Sequence, residues 1–302
     1  MVSLLVLCLL AIDPNAGTTG FEFIRIAPTA REAAMAGATT ADARSAMAFW
    51  YSPVHALGTG NSHAHLGYVS YLAGIQLGSA AYTRPLATDK SVGIGVVYLN
   101  SGSMKRTDGL GNEYGTFGGT FADLNVSGAI RISDLLSLGA GIQGLYGSMD
   151  TFYGLGLAAN LGVRARVPFE GFDGLYAGFV ARNLGYQLSA FQEGRDPMPA
   201  EFAFGFAFLP SPSFMLAVDA LKPVDNRIQF RGGIEGWIGD VLVLRGGYST
   251  SGTDLKTGGG KDISAGFSTG FGVHYRQYQL DYALVPMVEL GMTHRLSLTI
   301  EL

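Results

Sequence analysis

From about residue 62 onward the chain alternates apolar and polar residues, the mark of strands with two unlike faces. Near the C-terminus Leu296, Leu298, Ile300 and Leu302 fall on one side, and Arg295, Ser297, Thr299 and Glu301 on the other. Leu124, Val126, Ile130 and Ile132 oppose Asn125, Ser127 and Arg131, and Ile228, Phe230 and Ile234 oppose Gln229, Arg231 and Glu235. Leu155, Leu157, Leu161 and Val163 oppose Asn160, Arg164 and Arg166. The pattern divides into fourteen strands, near 62–72, 75–84, 91–102, 120–132, 136–148, 152–167, 175–186, 199–209, 213–222, 227–238, 241–250, 261–274, 277–285 and 293–302.

Composition decides which face is wet. Of 302 residues 48% are apolar and only 15% charged, and the mean hydropathy is +0.25. The 44 glycines, about twice the usual share, disfavour a helical bundle. No apolar run reaches the roughly 18 residues a spanning helix needs; the longest runs from Val2 to Ile12. A closed barrel is the other architecture that satisfies its backbone in lipid. These features predict an all-β fold: a 14-stranded antiparallel transmembrane β-barrel, apolar side chains toward lipid and polar ones toward the lumen. A soluble sandwich would point its apolar stripes inward.

Connection lengths agree. The long segments Ser103–Gly119, Gln187–Met198 and Ser251–Gly260 all fall on odd-numbered connections, although the first, at Ala73–Gly74, is tight. The even ones (Pro85–Lys90, Ser133–Leu135, Pro168–Gly174, Pro210–Pro212, Gly239–Asp240, Tyr275–Arg276) are short. Bacterial barrels keep short turns on the periplasmic side, so this parity predicts an outer-membrane location in a diderm bacterium with both termini periplasmic. The net charge of −4 provides no basic field for nucleic acid.

Residues 1–16 read as a signal peptide: an apolar core from Met1 to Ala11, without a preceding Lys or Arg, and cleavage after Ala16. Cys8, the single cysteine, lies within it, behind Leu7 rather than a small residue. Residues 17–61 lack the two-residue period. Pro28–Gly37 and Ala41–Ala48 read as short helical turns broken at Gly37, forming a plug for the barrel of residues 62–302. Arg31 and Arg44 of the plug, with Arg231, Arg245, Asp281 and Arg295 of the wall, are candidate plug–lumen contacts; Arg131, Arg164, Arg166 and Glu235 share the luminal face. Tyr68, Tyr82, Tyr98, Tyr146, Tyr153, Tyr186, Tyr248, Tyr275 and Tyr278 suit interfacial girdles. Glycines such as those of Gly139-Ala140-Gly141 and Gly246-Gly247-Tyr248 would ease bends or let the plug approach the wall.

Several motifs imitate chemistry. Gly266-Phe267-Ser268-Thr269-Gly270 has the spacing of a nucleophile elbow but lies in an alternating strand with no helix after it. Gly139–Gly144 has the G-x-G-x-x-G spacing but continues as strand, with Asn160 and Leu161 where an acid is needed. Lys256–Lys261 resembles a phosphate loop, with Leu255 in place of the first Gly and Asp262 in place of Ser/Thr. His55, His63, His65, His274 and His294 form no ligand pattern. No enzyme activity, cofactor or metal site is expected.

Several stretches carry a family resemblance. Phe23–Ala38 (Phe-Ile-Arg-Ile-Ala-Pro-Thr-Ala-Arg-Glu-Ala-Ala-Met-Ala-Gly-Ala) resembles the start of mature PorV/PorQ-family proteins, as does Ala46–Pro53. In that turn Ser52 and Val54 replace the family's Asn and Ala. Ala217–Asn226, Leu244–Tyr248, Gly252–Lys256 and the closing Leu280–Leu298 are similar too. The resemblance implies a FadL-like barrel with an N-terminal plug. It also implies a part in type IX secretion: docking cargo signal domains or attachment-complex proteins on the outer loops. Candidate contacts there are Asp108, Asn112, Glu193, Arg195, Thr253, Asp254 and Lys256. The alternative is a FadL-like transporter of long-chain fatty acids or other hydrophobic small molecules, with the plug as a gate, which predicts an apolar luminal pocket and a lateral opening.

Overall fold

The alternation closes on itself in space. In the structure, a computed structural model describing residues 13–58, 60–170, 173–191 and 194–302, the strands are β1 (His63–Ser70), β2 (Gln76–Ala87), β3 (Lys90–Asn100), β4 (Met104–Thr107), β5 (Glu113–Phe117), β6 (Gly119–Arg131), β7 (Leu136–Met149), β8 (Phe152–Arg166), β9 (Leu175–Ser189), β10 (Glu201–Ser211), β11 (Phe214–Pro223), β12 (Gln229–Ile238), β13 (Leu242–Ser249), β14 (Phe267–Tyr275), β15 (Tyr278–Pro286) and β16 (Met292–Glu301). All but β4 and β5 form one closed antiparallel barrel of fourteen strands. β1 closes it against β16, from His63 opposite Glu301 to Ser70 opposite His294.

These fourteen match the fourteen read from the alternation, within three residues at each end but one. The exception is β14. Residues Gly260–Ser264 coil into a 3-10 turn, and Gly266 takes a left-handed φ of +84° before the strand begins at Phe267. Lys261 to Ser264 alternate in sequence without pairing. The alternation also gave no sign of β4 and β5, which form a separate hairpin within the long connection after β3.

Polarity is inverted relative to a soluble protein. Leu66, Ile142, Val218, Ile234 and Phe271 are exposed on the wall, as are all nine girdle tyrosines. Asp123, Asn125, Gln143, Asn160, Asp219, Glu235, Arg245 and Asp281 are buried. Arg131 and Arg166 are exposed at the short-turn ends of their strands.

The lumen is filled by the N-terminal segment. It forms 3-10 turns at Glu22–Arg25, Ala48–Trp50 and Pro53–Leu57 and one helix, α1 (Ala30–Ala34). The helical reading of Ala41–Ala48 is corrected: residues 41–47 are irregular, because Asp42 and Ser45 turn their side chains onto the amides of Arg44 and Met47, a local bonding that competes with helix. The wall meets the plug through small residues: a Cβ on Gly139 would lie 2.2 Å from the Val54 nitrogen.

The two ends of the described chain lie at opposite rims. Leu302 sits at the short-turn rim, its amide donating to Ser62. The first described residues reach the long-loop rim, where Asp13 faces Lys222 and Gly20 donates to the Pro197 carbonyl. Loop parity located the ends of the barrel, not the start of a segment threaded up through it. Residues 1–12 of the expected leader lie outside the described residues.

Candidate functional site

The lumen holds a continuous charged cluster where plug meets wall. Arg31 of α1 pairs with Asp42 at 2.6 Å, Glu235 at 2.8 Å and Glu32 at 3.7 Å. Arg44 reaches Glu235 at 2.9 Å and Asp42 at 3.4 Å. On the wall, Arg245 joins Glu235 at 2.7 Å to Asp281 at 2.6 Å, and Gln279 donates to Asp281. Alternation places Glu235, Arg245 and Asp281 on the luminal face, and the register makes Glu235 and Arg245 direct neighbours across β12 and β13. Arg295 donates to the Ala27 carbonyl at 3.0 Å and to Thr293. Asp219 accepts from the Thr39 and Thr40 amides and the Thr40 hydroxyl, and Arg164 donates to Ala41.

Toward the long-loop rim a cavity of roughly 500 Å3 opens between plug and wall. Ile24, Ile26, Trp50, Tyr71, Leu221, Val285 and Met287 give it an apolar lining, and Arg182, Arg231, Arg295 and Glu201 a polar one. Arg182 is held by Glu201 at 2.5 Å and donates to the Tyr51 carbonyl. Arg231 differs. Among the described residues no side-chain hydrogen bond or ion pair holds its guanidinium, which lines the cavity. It lies beneath Gly37 (φ +76°), where an added Cβ would come within 2.9 Å of Nη1.

The wall beside this cavity has a seam. The ladder between β9 and β10 runs only from Leu175 to Arg182, because β10 begins at Glu201; beyond it, the register partners of β9 from Leu184 to Ser189 lie on β8. A bulge sets Arg182 and Asn183 against Asn160, with Asn183 at φ +59° and its amide donating to Asn160 Oδ1 at 2.8 Å. Side chains close the gap. Asn183 Nδ2 donates to the Pro199 carbonyl at 3.1 Å, the Asp196 amide to Gln187 Oε1 at 3.1 Å, and Arg195 to the Leu188 carbonyl at 3.3 Å. Pro197 and Pro199 have no N–H to extend the ladder.

The chemistry-like motifs resolve structurally. Ser268 lies in β14 and donates to the Ala34 carbonyl. Gly139–Gly144 lies inside β7. In the phosphate-loop look-alike, the Thr257 and Gly258 amides are taken by Asp262 of the same loop. Of the outer-loop candidates, Asp108 caps the hairpin turn through the Leu110 and Asn112 amides and the Asn112 side chain. Thr253 and Asp254 engage Arg227, Lys256 is exposed, and Glu193 lies outside the described residues. Sequence reasoning missed Asp42, Arg182, Glu201 and Asp219. The bulge hides the face of Arg182, while Asp219 lies in alternating register on β11 and was legible there.

Solved structures share this fold. The toluene transporter TbuX of Ralstonia pickettii superposes with a TM-score of 0.63 at 12% identity, covering 93% of this chain and 98% of that one. The Pseudomonas putida toluene transporter TodX gives 0.61 at 12%, over 89% and 95%. A Pseudomonas aeruginosa FadL homologue gives 0.60 at 12%, over 90% and 98%. At such identity the likeness is one of fold: a FadL-like fourteen-stranded barrel. No protein-family model matches the chain, and no curated protein does. The PorV/PorQ resemblance therefore stands on its quoted motifs alone.

Proposed function

We propose that this chain is an outer-membrane conduit for hydrophobic or amphipathic small molecules, the long-loop rim facing outward. The observation carrying this reading is the luminal cavity. Its volume, roughly 500 Å3, falls in the usual range for small-molecule sites. Its lining combines apolar side chains with Arg231, a guanidinium without a hydrogen-bonding partner among the described residues. Such a site suits a molecule with a greasy body and an acidic end. The β9–β10 seam beside it, closed by side chains, supports the same reading.

The test is equilibrium binding of a fluorescent polyene fatty acid to detergent-purified protein. Arg231→Ala should weaken binding about tenfold or more, the value of one charge-assisted hydrogen bond, and leave the matching alcohol unaffected. Equal affinity of variant and wild type for the acid contradicts the reading.

A second reading, docking of secretion cargo or attachment proteins, draws on the β4–β5 hairpin. It forms a sheet separate from the barrel wall, with Leu110 89% exposed at its tip. Deletion of the gene separates the two: loss of surface-attached proteins with normal uptake of hydrophobic compounds favours docking, and the reverse favours the conduit.

A further inference from the structure

One luminal acid takes no part in fastening the plug. Asp123 lies fully buried on the inner face of β6. Its register partners are Val97 of β3 and Leu145 of β7, both apolar and buried. Among the described residues no cation pairs with it, and its one side-chain partner is Gln143, whose Nε2 donates to Asp123 Oδ2 at 3.1 Å. Gln143 is itself buried on the inner face of β7, and it borders the cavity that also holds Arg231.

With its donor spent on Asp123, the Gln143 amide has an Oε1 carbonyl without a partner. Asn125 stands opposite Gln143 in register. Its Oδ1 takes the Ser127 hydroxyl, and its Nδ2 has no partner either. An acceptor and a donor thus lie on neighbouring strands, both buried and both unpaired. Each unpaired buried polar atom is costly and calls for an account of what satisfies it.

We propose that Gln143, with Asn125 beside it and Asp123 supporting it, forms a subsite of the cavity that recognises a hydroxyl group on the ligand. A hydroxyl both donates and accepts, so a single one can answer Oε1 and Nδ2 together. Arg231 lies on β12 and Gln143 on β7, five places apart in the barrel order. The hydroxyl therefore belongs on the body of the ligand, away from its acidic end. The preferred ligand is a hydroxylated amphipathic acid rather than a plain fatty acid. This rests on the conduit reading and adds its substrate class. A site built to hydrogen-bond a hydroxyl discriminates against the analogue that lacks it.

The test is displacement of the fluorescent polyene fatty acid from the full chain in detergent by 12-hydroxystearate and by stearate. The readout is the ratio of their affinities, so general losses cancel. Gln143→Met, folded as judged by heat-modifiable migration, should lower the preference for the hydroxy acid about threefold or more, the value of one neutral hydrogen bond, and leave stearate binding near wild type. Asn125→Leu should lower the preference likewise and serves if Gln143→Met does not fold. Asp123→Asn keeps an acceptor for Gln143 Nε2 and should leave the ratio near wild type; a loss equal to that of Gln143→Met would overturn its supporting role. Arg231→Ala should weaken both acids and leave the ratio intact. An unchanged ratio in Gln143→Met, with stearate binding still dependent on Arg231, would overturn the subsite and leave the conduit standing, the unpaired atoms then being met by water only. Failure of both acids to displace the polyene from wild type would overturn the conduit and the subsite together.

Discussion

Asp225, in the turn after β11, shows how one carboxylate fastens a whole segment. It receives both terminal nitrogens of Arg25, at 3.0 and 2.5 Å, and the Thr19 hydroxyl at 3.1 Å. Burial would push its pKa up, but the hydrogen bonds and charge of Arg25 outweigh that and hold it below the usual carboxylate value. A carboxylate with a depressed folded pKa stabilises fully above its unfolded value near 3.9, and the contribution fades as pH falls through the lower folded value. Docking of residues 19–26 should therefore be constant from neutral pH to about 4 and weaken below it. Hydrogen exchange corrected for intrinsic rates measures this, with protection of the Gly20 amide as the reporter. Asp225→Asn should be poorly protected at every pH; protection that persists unchanged in the variant would remove Asp225 from this role.

At the scale of elements, the strands depend on keeping their two faces apart. Val126 lies mid-strand on β6 with its side chain outward, between the buried Asn125 and Ser127. Val126→Arg should destabilise the folded barrel by about 2–4 kcal/mol if that position is at the bilayer midplane, read from reversible urea unfolding in vesicles. Ser127→Thr, on the luminal face, should change stability far less. The hairpin is held differently. Asp108 organises its turn, Arg106 pairs with Asp150 at 2.6 Å and stacks near Tyr114 and Phe117. Asp108→Ala should raise proteolysis between residues 104 and 117 while the barrel remains heat-modifiable. These elements also differ in how far the sequence revealed them. A wall strand has one neighbour on each side and one solvent per face, so its period is written directly into residue type. The hairpin forms its own two-stranded sheet outside the barrel wall, so Met104–Thr107 and Glu113–Phe117 carry no such period. At β14 the alternation overran, since a 3-10 turn and a left-handed glycine, not polarity, set where pairing begins.

For the whole molecule, closure satisfies the backbone, and the plug occupies what closure encloses. The barrel was legible because hydropathy, glycine content and loop parity each point to it independently. The luminal residues of the wall were legible too: Arg231, Arg245, Asp281 and Arg295 follow from the odd–even count. Their partners were not. Arg31 and Asp42 meet Glu235 only through the path of an irregular segment, for which no period exists. The cavity and the β9–β10 seam were equally hidden, because they depend on where β10 begins and on a single bulge. What unites these features is the orientation of the wall, apolar outward and ionic inward. Nitroxide labels placed singly from Leu296 to Ile300 in bilayer-reconstituted protein test it most directly, by comparing collisions with oxygen and with a water-soluble nickel chelate. Oxygen should dominate at Leu296, Leu298 and Ile300 and fall at Ser297 and Thr299; the opposite alternation, or none, would contradict the account.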